Sequence, residues 1–249
     1  MPLHSEREGA GPPVVLLHGF GQTGRCWGPL APALARRHTV VRLDAPGHGG
    51  SGGDAVDLPA TAGLIAAAGG PAVYLGYSMG GRMALQVAVD RPDVVRALVV
   101  VGATPGIEDA GERAARHAAD RVLARRIRDE GVPAFVDHWL GLPMFAGLPP
   151  EGRFEDERRR NRAEGLATSL ERAGTGAQAP LWDRLATIAV PVLVVAGEDD
   201  DRYAALAART AAAIGANATA ALVPGAGHSA HLEQPGAFID LVLGWLAAR

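Results

Sequence analysis

Six short apolar runs rich in branched residues punctuate the chain: Val14 to Leu17, Thr39 to Leu43, Ala72 to Leu75, Ala97 to Val101, Val190 to Val195 and Thr219 to Val223. They show little of the polar alternation of a half-exposed strand, so they predict strands buried on both faces. Helix-length stretches lie between several of them, at Trp27 to Arg36, Met79 to Asp90, Tyr203 to Ile214 and Pro235 to Ala247. Strand alternating with helix predicts an α/β fold, a mostly parallel sheet with helices on both faces. The alternation fails from about Pro105 to Trp182, where charged helical stretches run from Glu112 to Arg128 and from Glu151 to Arg172. The pattern therefore predicts one domain over 1–249, with a sheet core of 1–104 and 183–249 and a helical lid of about 105–182. Ligands of such sheets bind beyond the carboxyl ends of the strands, the edge that this insertion would cover.

Composition narrows the function. With 48% hydrophobic and 20% charged residues the chain can bury a sizeable core, and the signature of disorder is absent. Lys plus Arg number 24 against 27 Asp plus Glu, a net charge of −3 that gives no reason to expect nucleic acid as a partner. The apolar runs fall far short of the ~20 residues that cross a bilayer, so no membrane span is predicted. Residues 1–9 carry no signal-peptide pattern, which makes the cytoplasm the expected compartment. The single cysteine, Cys26, can form neither an internal disulfide nor a multi-cysteine zinc cluster and is expected as a buried free thiol. A small-molecule substrate and a monomer or small homo-oligomer are the remaining expectations.

The chemistry gathers at predicted strand ends. Gly76-Tyr77-Ser78-Met79-Gly80 follows one apolar run and precedes a helical pattern. That is G-x-S-x-G in a strand-turn-helix setting, where the glycines permit a strained turn that presents the serine hydroxyl. A serine nucleophile or base needs an imidazole, and the imidazole needs an orienting acid. Glu198, Asp199, Asp200 and Asp201 offer carboxylates after the fifth run, and His228 offers an imidazole after the sixth. The order Ser, acid, His is that of nucleophile-elbow enzymes. His231 competes with His228 but falls where a helix begins and reads as a wall or supporting residue. His18-Gly19-Phe20-Gly21 follows the first run, so the backbone N–H of Phe20 and of Met79 can form an oxyanion hole. The glycine-dense loop Asp44 to Ser51 has no phosphate-loop lysine, which argues against nucleotides.

These motifs, with Pro46-Gly47-His48-Gly49-Gly50-Ser51 and Gly227-His228, resemble the α/β-hydrolase fold over nearly the whole chain. A narrower resemblance is to the 2-succinyl-6-hydroxy-2,4-cyclohexadiene-1-carboxylate synthases of menaquinone biosynthesis. It is carried by Gly76 to Arg82, Glu112 to Arg116, Trp139 to Phe145 and Gly227 to His231. The resemblance selects Asp200, three residues after Gly197, as the acid of a Ser78, Asp200, His228 triad. It implies a lyase in which Ser78 removes a substrate proton, His228 takes up the proton of Ser78, Asp200 holds the imidazole and pyruvate leaves. It further implies that Arg82, Arg116 and Arg160 clamp substrate carboxylates, with Tyr77 and Trp139 as pocket walls. Guanidinium forks suit that task because they pair with carboxylates in a bidentate manner. Arg82 stands one helical turn after Ser78 and can face the same pocket, whereas most arginines of the insertion read as solvated helix faces. No metal or cofactor is implied. The same triad would serve a hydrolase of esters, thioesters or carbon-carbon bonds, and a non-catalytic binding protein is the reading from another class.

Overall fold

The computed structural model describes residues 2–52 and 55–249. Seven strands form one sheet in the order β1-β3-β2-β4-β5-β6-β7. They are β1 (Ser5–Glu8), β2 (Pro13–Leu17), β3 (Thr39–Leu43), β4 (Ala72–Tyr77), β5 (Val95–Val101), β6 (Val192–Gly197) and β7 (Ala218–Val223). All neighbours pair parallel except β1, which runs antiparallel to β3. Six strands match the apolar runs, but β7 is not buried on both faces as expected: it is an edge strand, with Thr219, Ala220 and Leu222 exposed. The seventh, β1, is Ser-Glu-Arg-Glu at an edge, where Glu6 pairs with Arg25 and Arg42.

Successive side chains of a strand face opposite ways, and the core divides accordingly. On one face Val15, Leu17, Val41 and Leu43 lie with α2 (Leu58–Gly69), α3 (Met79–Asp90) and α7 (Asp201–Ile214). On the other Val14, Leu16, Val40 and Leu75 lie with α1 (Leu30–Ala35) and α9 (Pro235–Ala247). A third cluster, including Ile127, Phe135, Leu166 and Leu170, belongs to the helices between β5 and β6. These are α4 (Ala110–Leu140), α5 (Glu155–Arg158) and α6 (Ala163–Ala173). α4 is broken at Gly131, whose φ of 82° no helix interior adopts. The stretch expected as one helix from Glu151 is divided, because α6 begins only after Arg162 in extended backbone. Among the described residues no helix is long and apolar enough to cross a membrane. Cys26 is buried and free, and burial pushes its thiol up to about 11.

Candidate active site

The turn from β4 to α3 places Ser78 at φ 51°, a left-handed conformation costly for a residue with a Cβ. Two glycines make it feasible. A Cβ on Gly76 would strike the Gly80 carbonyl, and one on Gly80 would strike the Leu17 carbonyl of β2. His228 lies between β7 and α8 (Ala230–Glu233), and Asp200 caps α7 by accepting from the Tyr203 N–H at 3.2 Å. All three therefore stand at the carboxyl ends of parallel strands. His228 Nε2 is 3.2 Å from Ser78 Oγ, and His228 Nδ1 is 2.9 Å from Asp200 Oδ2. Of the acidic run it is Asp200 that meets the imidazole. Burial opposes its ionisation, but the His228 bond and charge, the Tyr203 N–H and Arg202 together hold its carboxyl below the ordinary aspartate value. Glu233 of α8 accepts from the N–H groups of Gly227 and Ser229, at 2.7 and 2.8 Å, and so braces the loop on both sides of His228.

The serine opens on a cavity of about 790 Å³ between the sheet edge and the insertion, a volume suited to a small-molecule ligand. Phe20, Met79, Arg82, Arg116, Trp139 and Tyr203 are among its walls. Arg82 is only 6% exposed, and no carboxylate lies within ion-pair distance of it among the described residues. One guanidinium nitrogen donates to the Ala173 carbonyl at 2.8 Å and to Gln178 Oε1 at 3.2 Å. Burial, then the charge of Arg116, brings its pKa down to about 10. Arg116 is half exposed and held by Asp120 at 2.8 Å, and Asp120 also accepts from the Gly176 N–H. The cavity thus carries three guanidinium groups, Arg82, Arg116 and Arg202, of which Arg82 is buried with no acid of its own.

Other expected residues lie elsewhere. Arg160 does not reach the cavity. It follows α5, is 61% exposed and pairs with Glu157 one turn earlier at 3.1 Å, beside a separate surface cleft. The buried arginine of that segment is Arg158, with Nε donating to the Arg153 carbonyl and Nη2 without a partner among the described residues. Tyr77 is not a cavity wall either. It ends β4 pointing into the opposite sheet face, its hydroxyl 2.7 Å from Ser229 Oγ and its ring against those of His228 and His231. His231 is buried against Trp27 and Tyr77, and burial first, then the His228 and Arg158 charges, press its pKa down to about 3. Phe145 is buried in the core of the insertion, against Trp139.

Met79 is the first residue of α3, so its N–H has no acceptor within the helix. The arm carrying Phe20 is fixed from several sides. Gly19 N–H donates to Gln22 Oε1 at 2.9 Å and Gly21 N–H to His48 Nε2 at 3.3 Å. The glycine-dense loop Asp44 to Ser51, whose sequence argues only against nucleotides, forms a collar for this arm. Ala45 N–H donates to His18 Nε2, and Asp44 accepts from the N–H groups of Gly24 and Gly50. Sequence reading missed Tyr203, Gln178, Asp120, Asn161 and Glu233, since none carries a motif and their roles depend on contacts distant in sequence. No cluster of ligating side chains suited to a metal ion occurs among the described residues.

A sheet with this order and a serine at this turn define a class. The chain belongs to the alpha/beta hydrolase family, whose model matches residues 14–241. Its sequence is similar to the 2-succinyl-6-hydroxy-2,4-cyclohexadiene-1-carboxylate synthase of Salmonella heidelberg (strain SL476), 32% identical over 96% of this chain and 97% of the relative. A Bacillus subtilis (strain 168) relative is 34% identical over 94% of this chain and 90% of its own length. Among solved structures, MenH from S. aureus superposes with a TM-score of 0.92 at 29% identity, covering 98% of both chains. The likeness to α/β hydrolases, and among them to these synthases, extends through core and insertion alike.

Proposed function

We propose that the protein is a lyase that eliminates pyruvate from a succinyl-cyclohexene carboxylate, yielding the conjugated cyclohexadiene for which its relatives are named. The observation that carries this reading is Arg82, a buried guanidinium without an acid partner, in one cavity with the aligned Ser78, His228 and Asp200. A substrate carboxylate would supply the missing countercharge and restore the arginine's full basicity. Arg116 is the second clamp, with Asp120 holding it ready. The synthase name itself denotes a ring carboxylate and a succinyl chain, and the departing pyruvate adds a third carboxylate, so the substrate is a polycarboxylate for a cavity lined by Arg82, Arg116 and Arg202.

In this mechanism Ser78 Oγ gives its proton to His228 Nε2 as it takes the acidic ring proton beside the succinyl carbonyl. Charge developing on that carbonyl oxygen is received by the N–H groups of Phe20 and Met79. The ring carbon-oxygen bond then breaks, the second double bond forms, and the departing enolate takes up the proton held by the His228 imidazolium, directly or through water, to leave as pyruvate. Asp200 stabilises the imidazolium and fixes its orientation. Residues 105–182 act as a lid that keeps water from the reacting centre, with Trp139 as its inner wall.

The mass and near-ultraviolet absorbance of the cyclic product test the reading. Elimination gives a conjugated diene, and Ser78→Ala abolishes pyruvate release. A non-conjugated ring alcohol one water heavier would instead support hydrolysis, which the complete triad also permits.

A further inference from the structure

We propose that Asn161, in the helical insertion, is a positioning residue that sets the Phe20 N–H through a relay of two peptide planes. The inference rests on Phe20 N–H receiving negative charge beside Ser78. Asn161 is 5% exposed and its amide orientation is unambiguous. Its Oδ1 accepts from the Gly49 N–H at 2.9 Å, while its Nδ2 faces the carbonyls of Arg158, Gly21 and Gln22 at 2.9, 3.2 and 3.5 Å.

The Gly21 carbonyl shares a planar peptide with the N–H of Gln22, and in a trans peptide the two point in opposite directions. Gln22 N–H donates to the Gly19 carbonyl at 3.2 Å. That carbonyl shares the next peptide plane with the N–H of Phe20. A line of hydrogen bonds therefore runs from Asn161 Nδ2 to Gly21 C=O, from Gln22 N–H to Gly19 C=O, and out through Phe20 N–H. Each bond orients its peptide, and in a buried chain each polarises the next, so the terminal N–H becomes a better donor.

Two neutral histidines keep the arm from turning by another route. Ala45 N–H donates to His18 Nε2, so His18 Nδ1–H is the donor to the Gly19 carbonyl at 2.8 Å. His48 accepts the Gly21 N–H. The sheet core thus holds the arm at Gly19 and Gly21, and the Gly21–Gln22 peptide is held from the insertion, by Asn161. Thr23 Oγ1 donating to Glu157 at 2.8 Å ties the same two segments together one residue further on. The position of the insertion is in this way transmitted to the oxyanion donor.

Inactivation by an alkyl fluorophosphonate, whose phosphoryl oxygen occupies the oxyanion site while Ser78 is modified, reads this directly. Asn161→Asp keeps the acceptor for Gly49 but loses the donor to Gly21, and Asn161→Ala loses both. Both variants should show a maximal inactivation rate at least tenfold below wild type, with the half-saturating probe concentration changed less than threefold. Arg128→Ala, which removes the ion pairs joining α4 to Glu164 and Glu171 of α6, is the control. The relay is overturned if Asn161→Asp inactivates within twofold of wild type, if Arg128→Ala slows inactivation as much, or if the wild type does not react. The probe carries no cyclohexene or carboxylate, so a failed pyruvate assay with a positive result here would remove the substrate and leave the relay.

Discussion

At the residue scale the informative feature is that the most buried cation of the cavity is also the least compensated. Arg82 has traded solvent for one carbonyl, one amide and the repulsion of Arg116. Such a group is costly to the fold, and an apolar replacement of similar length relieves that cost. Arg82→Met should therefore lower kcat/KM by the equivalent of ~2 to 5 kcal/mol while unfolding stability stays within ~1 kcal/mol of wild type. Steady-state kinetics with denaturant titration check both halves. Arg116→Ala should cost less, because Arg116 is half exposed and already shared with Asp120. Asp200 behaves in the opposite sense. Its carboxyl is held below the ordinary value, so it contributes stability above pH ~4 and loses it as pH falls through the lowered value. The stability difference between wild type and Asp200→Asn should thus be present at neutral pH and shrink below pH ~4, and Asp200→Asn should also lose most of its turnover. Ser78 and His228 were legible because a strained turn and a strand-end imidazole leave motifs. Arg160 was not correctly placed: its i, i+3 spacing from Glu157 allows the pair that satisfies it, but the sequence does not show which side of the insertion the two residues face.

At the scale of elements, strands β2 to β6 were legible because burial leaves apolar runs, and β7 because its edge position is filled by small and branched residues although Thr219, Ala220 and Leu222 are exposed. β1 was not, because an edge strand that pairs its glutamates with arginines reads as a polar terminus. α2 was missed for a different reason. Its Ala- and Gly-rich sequence has no polar face to contrast with its buried one. The end of the first charged helix expected in the insertion, at Arg128, falls close to the break at Gly131. Ala at that site would have to hold φ near 82° with ψ near 170°, a region almost confined to glycine, at a cost of ~1 to 3 kcal/mol. Gly131→Ala should therefore lower the thermal midpoint by a few degrees. The elbow tolerates far less. Gly80→Ala sets a Cβ against the Leu17 carbonyl of a central strand, so loss of soluble folded protein is expected, read by circular dichroism and yield.

The whole molecule combines a core that favours neutral histidines with a cavity that favours anions. His231 has both ring nitrogens unpartnered among the described residues and a pKa pressed to about 3. The unfolded chain binds this proton near pH ~6.5 and the folded one does not, so folding stability falls as pH drops from there toward 3. His231→Phe, in a nest of Trp27, Tyr77 and Phe238, should flatten that slope by up to ~1.4 kcal/mol per pH unit. Denaturant midpoints from pH 7 to ~4 provide the check. The central claim is that an aligned serine, in a cavity that holds a buried guanidinium without an acid partner, removes a proton so that pyruvate departs. Pyruvate release from the succinyl-cyclohexene carboxylate, followed for wild type beside Ser78→Ala, tests it most directly. The account predicts catalytic turnover by the wild type and none above background by the variant. Equal release by the two proteins, or none by either, would contradict it.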